Sequence, residues 1–333
     1  MKSFIHDQEA AAEEALAGIL SLTDVPLHRV GSHTAVVYPE NRHRKVKVVV
    51  GGGSGHEPLF LGIVGPGLAD GGVAGQVFAA PNPEAIFDTM QEVQPAEGIL
   101  LVYGNYSGDV LNFGVAIDDA KAKGIQVAEI RVQDDIASAP SSQREDRRGT
   151  AGDIFVIKAI SAAADRGLSL QEVVRIGEKI NFHTRSLGVA SRAATAMDSG
   201  EPMFDLPDGE IEVGMGLHGE MGVRRSGYEP SELLVPRMMG MLLADFKETE
   251  LPLTRAAVMI NGLGGTTVIE LLVIAGQVRR FLDAHSVAVV HQTVGQFATS
   301  LDMAGFSISI SQVDDELEPL LEAKCRSFCY TKP

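Results

Sequence analysis

Short apolar runs alternate with longer amphipathic stretches along most of the chain. The runs "KVKVVV" (45–50), "GILLVY" (98–103) and "IQVAEIRV" (125–132) are predicted to be buried strands. The stretch "PEAIFDTMQEV" (83–93) has helical spacing and begins with proline, which favours the first position of a helix. This alternation is typical of α/β folds, in which helices cover a largely parallel sheet.

More helices are predicted in the first half of the chain. One spans residues 107–124, with Ser107 as its N-cap and Gly124 as its stop. Two others are predicted at 153–167 and 169–184. Together with the three strands, they supply the elements of one complete α/β domain.

A second block with the same alternation begins near residue 210. Its predicted strands are 210–220, 255–261, 286–295 and 306–314, and its predicted helices are 230–246, 266–285 and 315–324. The segment "NGLGGTT" (261–267) resembles a phosphate loop, but Thr267 and Glu270 are predicted to form a capping box at the next helix instead.

Periodicity fades between the two blocks, in a stretch rich in Gly, Pro and Asp that ends at "AMDSGEPMFDLPDGE" (196–210). We predict two tandem α/β domains built on mixed or parallel sheets, residues 1–185 and 186–333. The segment 211–220 of the second domain contains a candidate histidine. The same stretch also fits a long surface excursion of a single α/β protein.

Composition excludes several classes of function. The 333 residues are 45% hydrophobic, which is enough for sizeable cores, and the net charge of −16 argues against binding nucleic acid or an anionic membrane. The most basic short run, "QREDRRG" (143–149), contains two acids and is interpreted as a solvated loop. Two cysteines, a start without signal-peptide features and no apolar run of about 20 residues favour a cytoplasmic protein.

The stretch "VVVGGGSGHEP" (48–58) resembles several phosphate or nucleophile motifs and fits none of them. The dinucleotide fingerprint fails because His56 or Pro58 stands where the third glycine is required. The chain has no Gly-Lys pair for a Walker loop, and the serine elbow requires glycine at His56. What remains is a glycine-rich turn presenting a histidine to a small ligand, or a turn that His56 merely caps.

Two further strand ends have polar side chains. Asp109 lies in the first turn of the predicted helix after "GNYS" (104–107), where an acid also serves simply as a partner of the helix dipole. His218 lies between Gly216 and Gly219, which offer it little to pack against. Three such turns are typical of a ligand site beyond the carboxyl ends of strands.

Four motifs together resemble one known family, the substrate-binding subunit of dihydroxyacetone kinases. They are "GGGSGHEP" (51–58), "NYSGDVLNF" (105–113), "GLHGE" (216–220) and "TSLDMAGFSISI" (299–310). The resemblance extends in order from about residue 15 to the C-terminus. It implies that a short ketose is bound here.

The resemblance also implies roles for particular residues. His218 is expected to hold the ketone carbon covalently as a hemiaminal, His56 to take the proton of the reacting hydroxyl, and Asp109 to bind a substrate hydroxyl. Substrate contacts are expected at Gly53, Ser54, Gly55, His56, Gly104 and Asp109.

This chemistry is consistent with the side chains. An imidazole is largely neutral and nucleophilic at pH 7, and its attack on a ketone distinguishes an open-chain ketose from glycerol or a cyclised hexose. Asp109 near a helix N-terminus is stabilised as the anion, so it suits orienting a hydroxyl. We therefore favour His56 as the base, with Asp109 as the alternative.

The phosphoryl donor is expected on another polypeptide. Family members pair the ketose-binding unit with a nucleotide-binding unit, and this sequence reaches Pro333 without a Walker loop or clustered Mg²⁺-binding carboxylates. The resemblance implies a nucleotide-binding kinase subunit with ATP or ADP and Mg²⁺, in some systems recharged by a phosphotransferase protein, and a homodimer of this chain. No cofactor or metal is expected on this chain itself.

Three positions depart from the family pattern. Gly104 replaces a lysine, Ala80 replaces a serine, and Met221 replaces a proline. The first two changes enlarge the expected pocket and favour a four-carbon ketose such as erythrulose, although neutral drift is an alternative. A second function also stays open, because some relatives are ketose-sensing co-activators of transcription; the missing lysine favours that reading, and His56 with Asp109 favours catalysis.

Overall fold

The computed structural model describes residues 4, 5, 7–40 and 46–333, so Lys45 of the first predicted strand lies outside it. The chain forms two compact units. The first unit comprises Phe4–Val132, Asp153–Asn181 and Pro319–Pro333, and the second comprises Gln133–Gly152 and Phe182–Glu318.

The segment Gln133–Gly152 belongs to the second unit, whereas the sequence assigned it to the first domain. Its backbone pairs with a strand of the second unit: Ser186 donates to the carbonyl of Asp134 at 2.7 Å, and Ile136 donates to the carbonyl of Ser186 at 3.1 Å. The sequence gives no local signal for this pairing, because the partners are about fifty residues apart.

The first unit is built on a six-stranded mixed sheet. Its strands are β1 His28–Arg29, β2 Ala35–Val37, β3 Val46–Ser54, β4 Gly71–Val77, β5 Gly98–Gly104 and β6 Val127–Val132. The order is β1-β2-β4-β3-β5-β6; β4, β3, β5 and β6 are parallel, and β2 and β1 add antiparallel at one edge.

Helices of the first half pack on this sheet. They are α1 Ala11–Leu22, α2 Pro83–Glu92, α3 Ser107–Ala122, α4 Asp153–Asp165 and α5 Leu170–His183. Pro83 is the first residue of α2, as predicted, and the Asn82 side chain accepts from Glu84 N at 2.8 Å. The predicted cap of α3 is wrong, because the N-cap is Tyr106, whereas Gly124 with φ 78° ends that helix as expected.

The second unit has another six-stranded mixed sheet. Its strands are β7 Thr184–Arg192, β8 Glu210–Val213, β9 Arg224–Gly227, β10 Arg255–Gly262, β11 Ala288–Gly295 and β12 Ala304–Gln312, and its helices are α6 Ser231–Glu248 and α7 Val268–Ala284. The order is β11-β10-β12-β7-β8-β9, with β10 and β11 parallel and the other pairs antiparallel. The predicted fold class, two α/β units on mixed sheets, is confirmed.

Short elements complete the chain: α8 Glu318–Leu321, β13 Cys325–Arg326 and β14 Thr331–Lys332. The predicted capping box is confirmed, since Thr267 and Glu270 satisfy each other's backbone amides at the start of α7. No helix among the described residues is long and apolar enough to cross a membrane.

Strands β7 and β9 were not predicted, and neither were α1 and the strands β1, β2, β4, β13 and β14. The sequence of β7, "TRSLGVASR", is polar, yet most of the strand is buried, including Arg185 at 0% exposure. Arg185 is accommodated because it pairs with Asp245 of α6. Strand β9 is largely exposed and polar, so it offers no apolar alternation.

The glycine run lies inside β3, which continues to Ser54 instead of turning after Val50 as predicted. Gly51 pairs with Val73 of β4, and a Cβ at Gly51 would lie 2.7 Å from the Val73 carbonyl oxygen and 2.9 Å from the Phe113 ring. A Cβ at Gly52 would lie 2.3 Å from the ring of Phe60. These glycines therefore permit close packing on the sheet, and the turn starts only at Gly55, with φ 95°.

Replacing Gly51 by alanine is expected to destabilise the protein by about 1–3 kcal/mol, because a backbone oxygen of the paired strand cannot move aside cheaply. The matched control is Gly114→Ala in α3. There, no described heavy atom lies within 4 Å of an added Cβ, and alanine should stabilise by about 0.5–1 kcal/mol. Urea unfolding followed by circular dichroism measures both, and equal effects of the two substitutions would contradict this account of the glycine run.

Candidate active site

Three loops of the first unit meet at the carboxyl edge of its parallel strands. His56 lies two residues after β3, Phe78 directly follows β4, and Gly104 ends β5 just before α3. Since β4, β3 and β5 are parallel neighbours, these strand ends share one edge. The predicted site residues of the first unit thus all lie at this one edge, at the end of β3, at the end of β5 or in the first turn of α3.

His56 is 3% exposed and lies against an aromatic ring. The centroids of the His56 and Phe78 rings are 5.0 Å apart, with the planes tilted by 35°. The loop is fixed by Leu59 N donating to the His56 carbonyl at 3.1 Å and by Gly55 N donating to Glu57 Oε2 at 2.9 Å. Burial raises the pKa of Glu57, although backbone hydrogen bonds oppose the shift.

The end of β3 is tightly packed around the predicted contact residues. A Cβ at Gly53 would lie 3.0 Å from Ala79 N, so the Gly53 backbone lies against the loop after β4. The buried Ser54 hydroxyl donates to the Gly75 carbonyl at 2.7 Å. The Ser54 side chain therefore has a structural role, whether or not the Ser54 backbone contacts the substrate.

Asp109 lies in the first turn of α3 and is 8% exposed. The loop after β4 packs on this turn: a Cβ at Gly108 would lie 3.4 Å from the Ala80 Cβ, and Asn112 Nδ2 donates to the Pro81 carbonyl at 2.9 Å. Ala80 and Gly104, the two positions of the expected pocket that depart from the family pattern, therefore lie at the edge that holds Asp109 and His56.

His218 belongs to the second unit, in a turn five residues beyond the end of β8. The strand predicted through residue 220 ends early, at Val213, and Gly214 follows with φ 87°. The turn is closed by Gly216 N donating to the Glu220 carbonyl at 3.1 Å, and the Ser300 hydroxyl donates to the carbonyl beside His218. The histidine thus stands on a fixed backbone.

Glu220 holds both the backbone and the ring of His218. The His218 amide donates to Glu220 Oε2 at 2.9 Å, and the His218 Nδ1 lies 3.2 Å from Glu220 Oε1. Desolvation is the largest influence on this carboxyl and raises its pKa, but His218 and Arg148 together outweigh it and lower the pKa of Glu220 to about 2. Glu220 is therefore ionised and can only accept hydrogen bonds, so its contact with Nδ1 favours the tautomer of the His218 ring that has its proton on Nδ1.

Arg148 lies behind Glu220, with its Nη1 3.7 Å from Glu220 Oε2. The same guanidinium donates to Asp135 Oδ2 from Nη2 at 2.7 Å and from Nε at 3.1 Å, and to the Gly214 carbonyl at 3.2 Å. Burial raises the pKa of Asp135 to about 6, although Arg148 opposes the shift. A chain of charged groups, Asp135–Arg148–Glu220, thus ends at the His218 ring.

The interpretation of residues 143–149 as a solvated loop holds for the exposed Gln143, Glu145 and Asp146 but is wrong for Arg147 and Arg148. Arg147 is 0% exposed and forms a bidentate ion pair with Asp245 of α6, and the Arg148 side chain is 13% exposed. Their partners lie 13 residues away for Arg148 and 98 for Arg147, so a window of seven residues could not reveal them. Glu220 was not among the predicted site residues, although "GLHGE" contains a signal for it: an acid two residues after a histidine in a turn can reach the histidine ring.

The Glu220→Gln variant is expected to be less stable at neutral pH. The folded pKa of about 2 lies below the ordinary 4.5, so the ionised carboxylate contributes stability above pH 4.5 and loses it as pH falls towards 2. With one third of the side chain exposed, the contribution is about 1–2 kcal/mol. Urea unfolding from pH 7 to pH 3 should show the two proteins converging in acid; a constant difference would contradict the assignment.

No group of three or more His, Cys, Asp or Glu side chains arranged to hold a metal ion occurs in the part of the chain that the structure describes. The candidate side chains, two histidines and an aspartate, each lie in a turn that follows a strand, and they are suited to covalent and acid–base chemistry on an organic ligand.

A chain of two α/β units with these turns has the character of a small-molecule binding protein or enzyme. The family model of the Dak1 domain matches residues 17–329. The chain therefore belongs to the Dak1 domain family, and the resemblance drawn from its motifs is confirmed.

Named relatives include both dihydroxyacetone and erythrulose proteins. The chain is 40% identical over 327 residues to a PTS-dependent dihydroxyacetone kinase 2, dihydroxyacetone-binding subunit DhaK, from Listeria innocua, with 98% of each chain covered. It is also 40% identical to a D-erythrulose kinase from Mycolicibacterium smegmatis, covering 100% of this chain and 57% of that kinase. A solved structure, the dihydroxyacetone kinase operon co-activator Dha-DhaQ, matches with a TM-score of 0.90 and 29% identity over 96% of this chain and 98% of that one.

Proposed function

We propose that this chain is the ketose-binding subunit of a two-component kinase of the dihydroxyacetone type. It binds a three- or four-carbon ketose covalently at His218 and presents the terminal hydroxyl to a partner subunit that holds ATP or ADP with Mg²⁺. The 40% identity to a dihydroxyacetone-binding subunit supports the ketose-binding role. A homodimer of this chain remains part of the proposal.

One observation supports the covalent anchor above all, namely the contact of the His218 Nδ1 with ionised Glu220 at 3.2 Å. With the Nδ1 proton held by a carboxylate, the neutral ring has its lone pair on Nε2. Nε2 then bonds to the ketone carbon, the carbonyl electron pair moves to oxygen, and that oxygen gains a proton as Nδ1 releases one. The product is a neutral hemiaminal, and no leaving group is required.

His56 and Asp109 act at the other end of the ketose in this proposal. The terminal hydroxyl gives its proton to His56 as its oxygen attacks the phosphoryl group on the partner, while Asp109 orients that hydroxyl. The burial of both side chains supports this role, because excluding water strengthens their interactions with the hydroxyl. Positioning of this kind supplies much of the rate in phosphoryl transfer.

Carbon-13 spectra of the protein with dihydroxyacetone labelled at its carbonyl test the anchor directly. We expect the ketone resonance to be replaced by that of a protein-bound tetrahedral carbon, and His218→Ala to abolish this resonance. His56→Asn should keep the resonance but lose turnover by about 10²–10⁴-fold with the partner subunit, because only the base is missing. An unchanged tetrahedral signal in His218→Ala would refute the anchor.

The ketose is proposed to have four carbons, as in erythrulose. The loss of polar side chains at Ala80 and Gly104, both at the edge that holds Asp109, supports a pocket with more room, and so does the relative named D-erythrulose kinase.

Gly104→Lys should therefore reduce kcat/KM for erythrulose about tenfold more than for dihydroxyacetone, because the added side chain fills the space for the fourth carbon. Gly227→Lys is the control, since no described heavy atom lies within 4 Å of an added Cβ there. Steady-state assays with the partner subunit and both erythrulose enantiomers measure this. A wild-type preference for dihydroxyacetone would contradict the four-carbon proposal.

A ligand-sensing co-activator is the second candidate. The similarity to Dha-DhaQ over 96% of this chain favours it, together with the glycine at position 104. Both candidates use the hemiaminal, so the reconstituted kinase assay separates them. Turnover with a nucleotide-binding partner would exclude a purely regulatory role, whereas adduct formation without turnover would favour it.

A further inference from the structure

We infer that Arg148 is a positioning residue for the ketose anchor: it holds Glu220 where that carboxylate fixes the ring of His218. This inference rests on the proposed function for the role of the His218 nitrogen. Arg148 itself is not proposed to touch the substrate.

Arg148 is rigidly fixed by its own contacts. Its amide donates to the Ser138 hydroxyl at 3.0 Å, its carbonyl accepts from Asp135 N at 3.1 Å, and its guanidinium is anchored on Asp135 Oδ2. Because a buried carboxylate fixes the cation, the remaining Nη1 faces Glu220 at a constant place. A flexible surface arginine could not provide such a reference point.

The turn is shaped so that Arg148 and Glu220 can approach each other. A Cβ at Gly216 would lie 2.1 Å from Glu220 Oε2 and 2.6 Å from Arg148 Nη1. Any side chain at position 216 would therefore displace one of these two groups. The packing of Glu220 and Arg148 thus explains why position 216 is a glycine, without any contact to the ligand.

Glu220 needs this second partner because it is not enclosed. One third of its side chain is exposed, so without Arg148 the carboxylate can rotate into water and release the His218 Nδ1. The neutral ring would then populate both tautomers, and in one of them Nε2 bears the proton and cannot attack a carbonyl. Loss of Arg148 should therefore weaken the adduct without altering any substrate contact.

The competing explanation is that Arg148 only compensates Asp135, which is 2% exposed. Arg148→Met alone would leave that carboxylate buried without its cation and could unfold the unit. The test therefore uses Asp135→Asn as the parent protein and compares it with Asp135→Asn/Arg148→Met. In this parent the amide oxygen introduced at position 135 can still accept from the guanidinium, so Arg148 keeps a partner, and the difference between the two proteins isolates the effect of Arg148 on Glu220.

Two readouts are made on the full chain without a partner subunit. Nitrogen-15 spectra report the tautomer of His218, assigned by its loss in His218→Ala, and the carbonyl-labelled dihydroxyacetone signal reports the adduct. We expect the double variant to shift His218 away from the Nδ1-protonated tautomer and to weaken adduct formation about 10- to 100-fold, the effect of losing the hydrogen bond between the His218 Nδ1 and the Glu220 carboxylate. In the same parent protein, Arg148→Lys should recover part of the tautomer preference and part of the adduct, since lysine restores the positive charge.

Arg147→Met is the matched control. It removes the neighbouring arginine, whose guanidinium binds the buried Asp245 of α6, and it should leave the His218 tautomer unchanged. An unchanged tautomer and adduct in the double variant would overturn the inference. If the wild-type protein forms no adduct at all, the proposed anchor fails, and the tautomer measurement still decides the role of Arg148.

Discussion

Close contact between β3 and its neighbours determines where the candidate residues of the first unit lie. Gly51 and Gly52 leave room for Val73, Phe113 and Phe60 to pack directly on the strand backbone. The strand therefore stays paired with β4 as far as Ser54, and His56 emerges at the same edge as the end of β5. A bulkier strand would separate these layers and move the histidine away from the turn that holds Asp109.

In the second unit, buried ion pairs determine where the candidate histidine lies. Arg147 and Arg185 both pair with Asp245, and Arg148 pairs with Asp135, so the segment after β6 is fixed against β7 and α6. Removing such charges from water costs free energy that the ion pairs only partly recover, so they are weak evidence for extra stability. Their value is in geometry, because each pair joins elements in one relative arrangement. The turn that holds His218 depends on this frame through Glu220.

The sequence predicts what is local and periodic and misses what depends on distant partners. Helices with caps and apolar stripes, such as α2 and α7, follow from their own residues. Strand β7 was missed because Arg185 interrupts its apolar pattern, and the local sequence does not show that Asp245 pairs with this arginine when it is buried. Arg148 was missed for the same reason, since its partner Asp135 is not evident from the sequence. The candidate histidines at strand ends were identified because neighbouring glycines give a histidine little to pack against. Their roles in catalysis are still predictions, since geometry alone does not test them.

In the proposed function, covalent capture separates recognition of the carbonyl from recognition of the rest of the ketose. An imidazole that attacks a ketone needs only a fixed lone pair and a partner for its other nitrogen, and His218 with Glu220 provides both within one turn. This requirement is the same for ketoses of three or four carbons. In the proposed function, chain length is distinguished elsewhere, at Ala80 and Gly104. In the proposed function, substitutions at those positions can change the preferred ketose while the turn that forms the adduct stays intact.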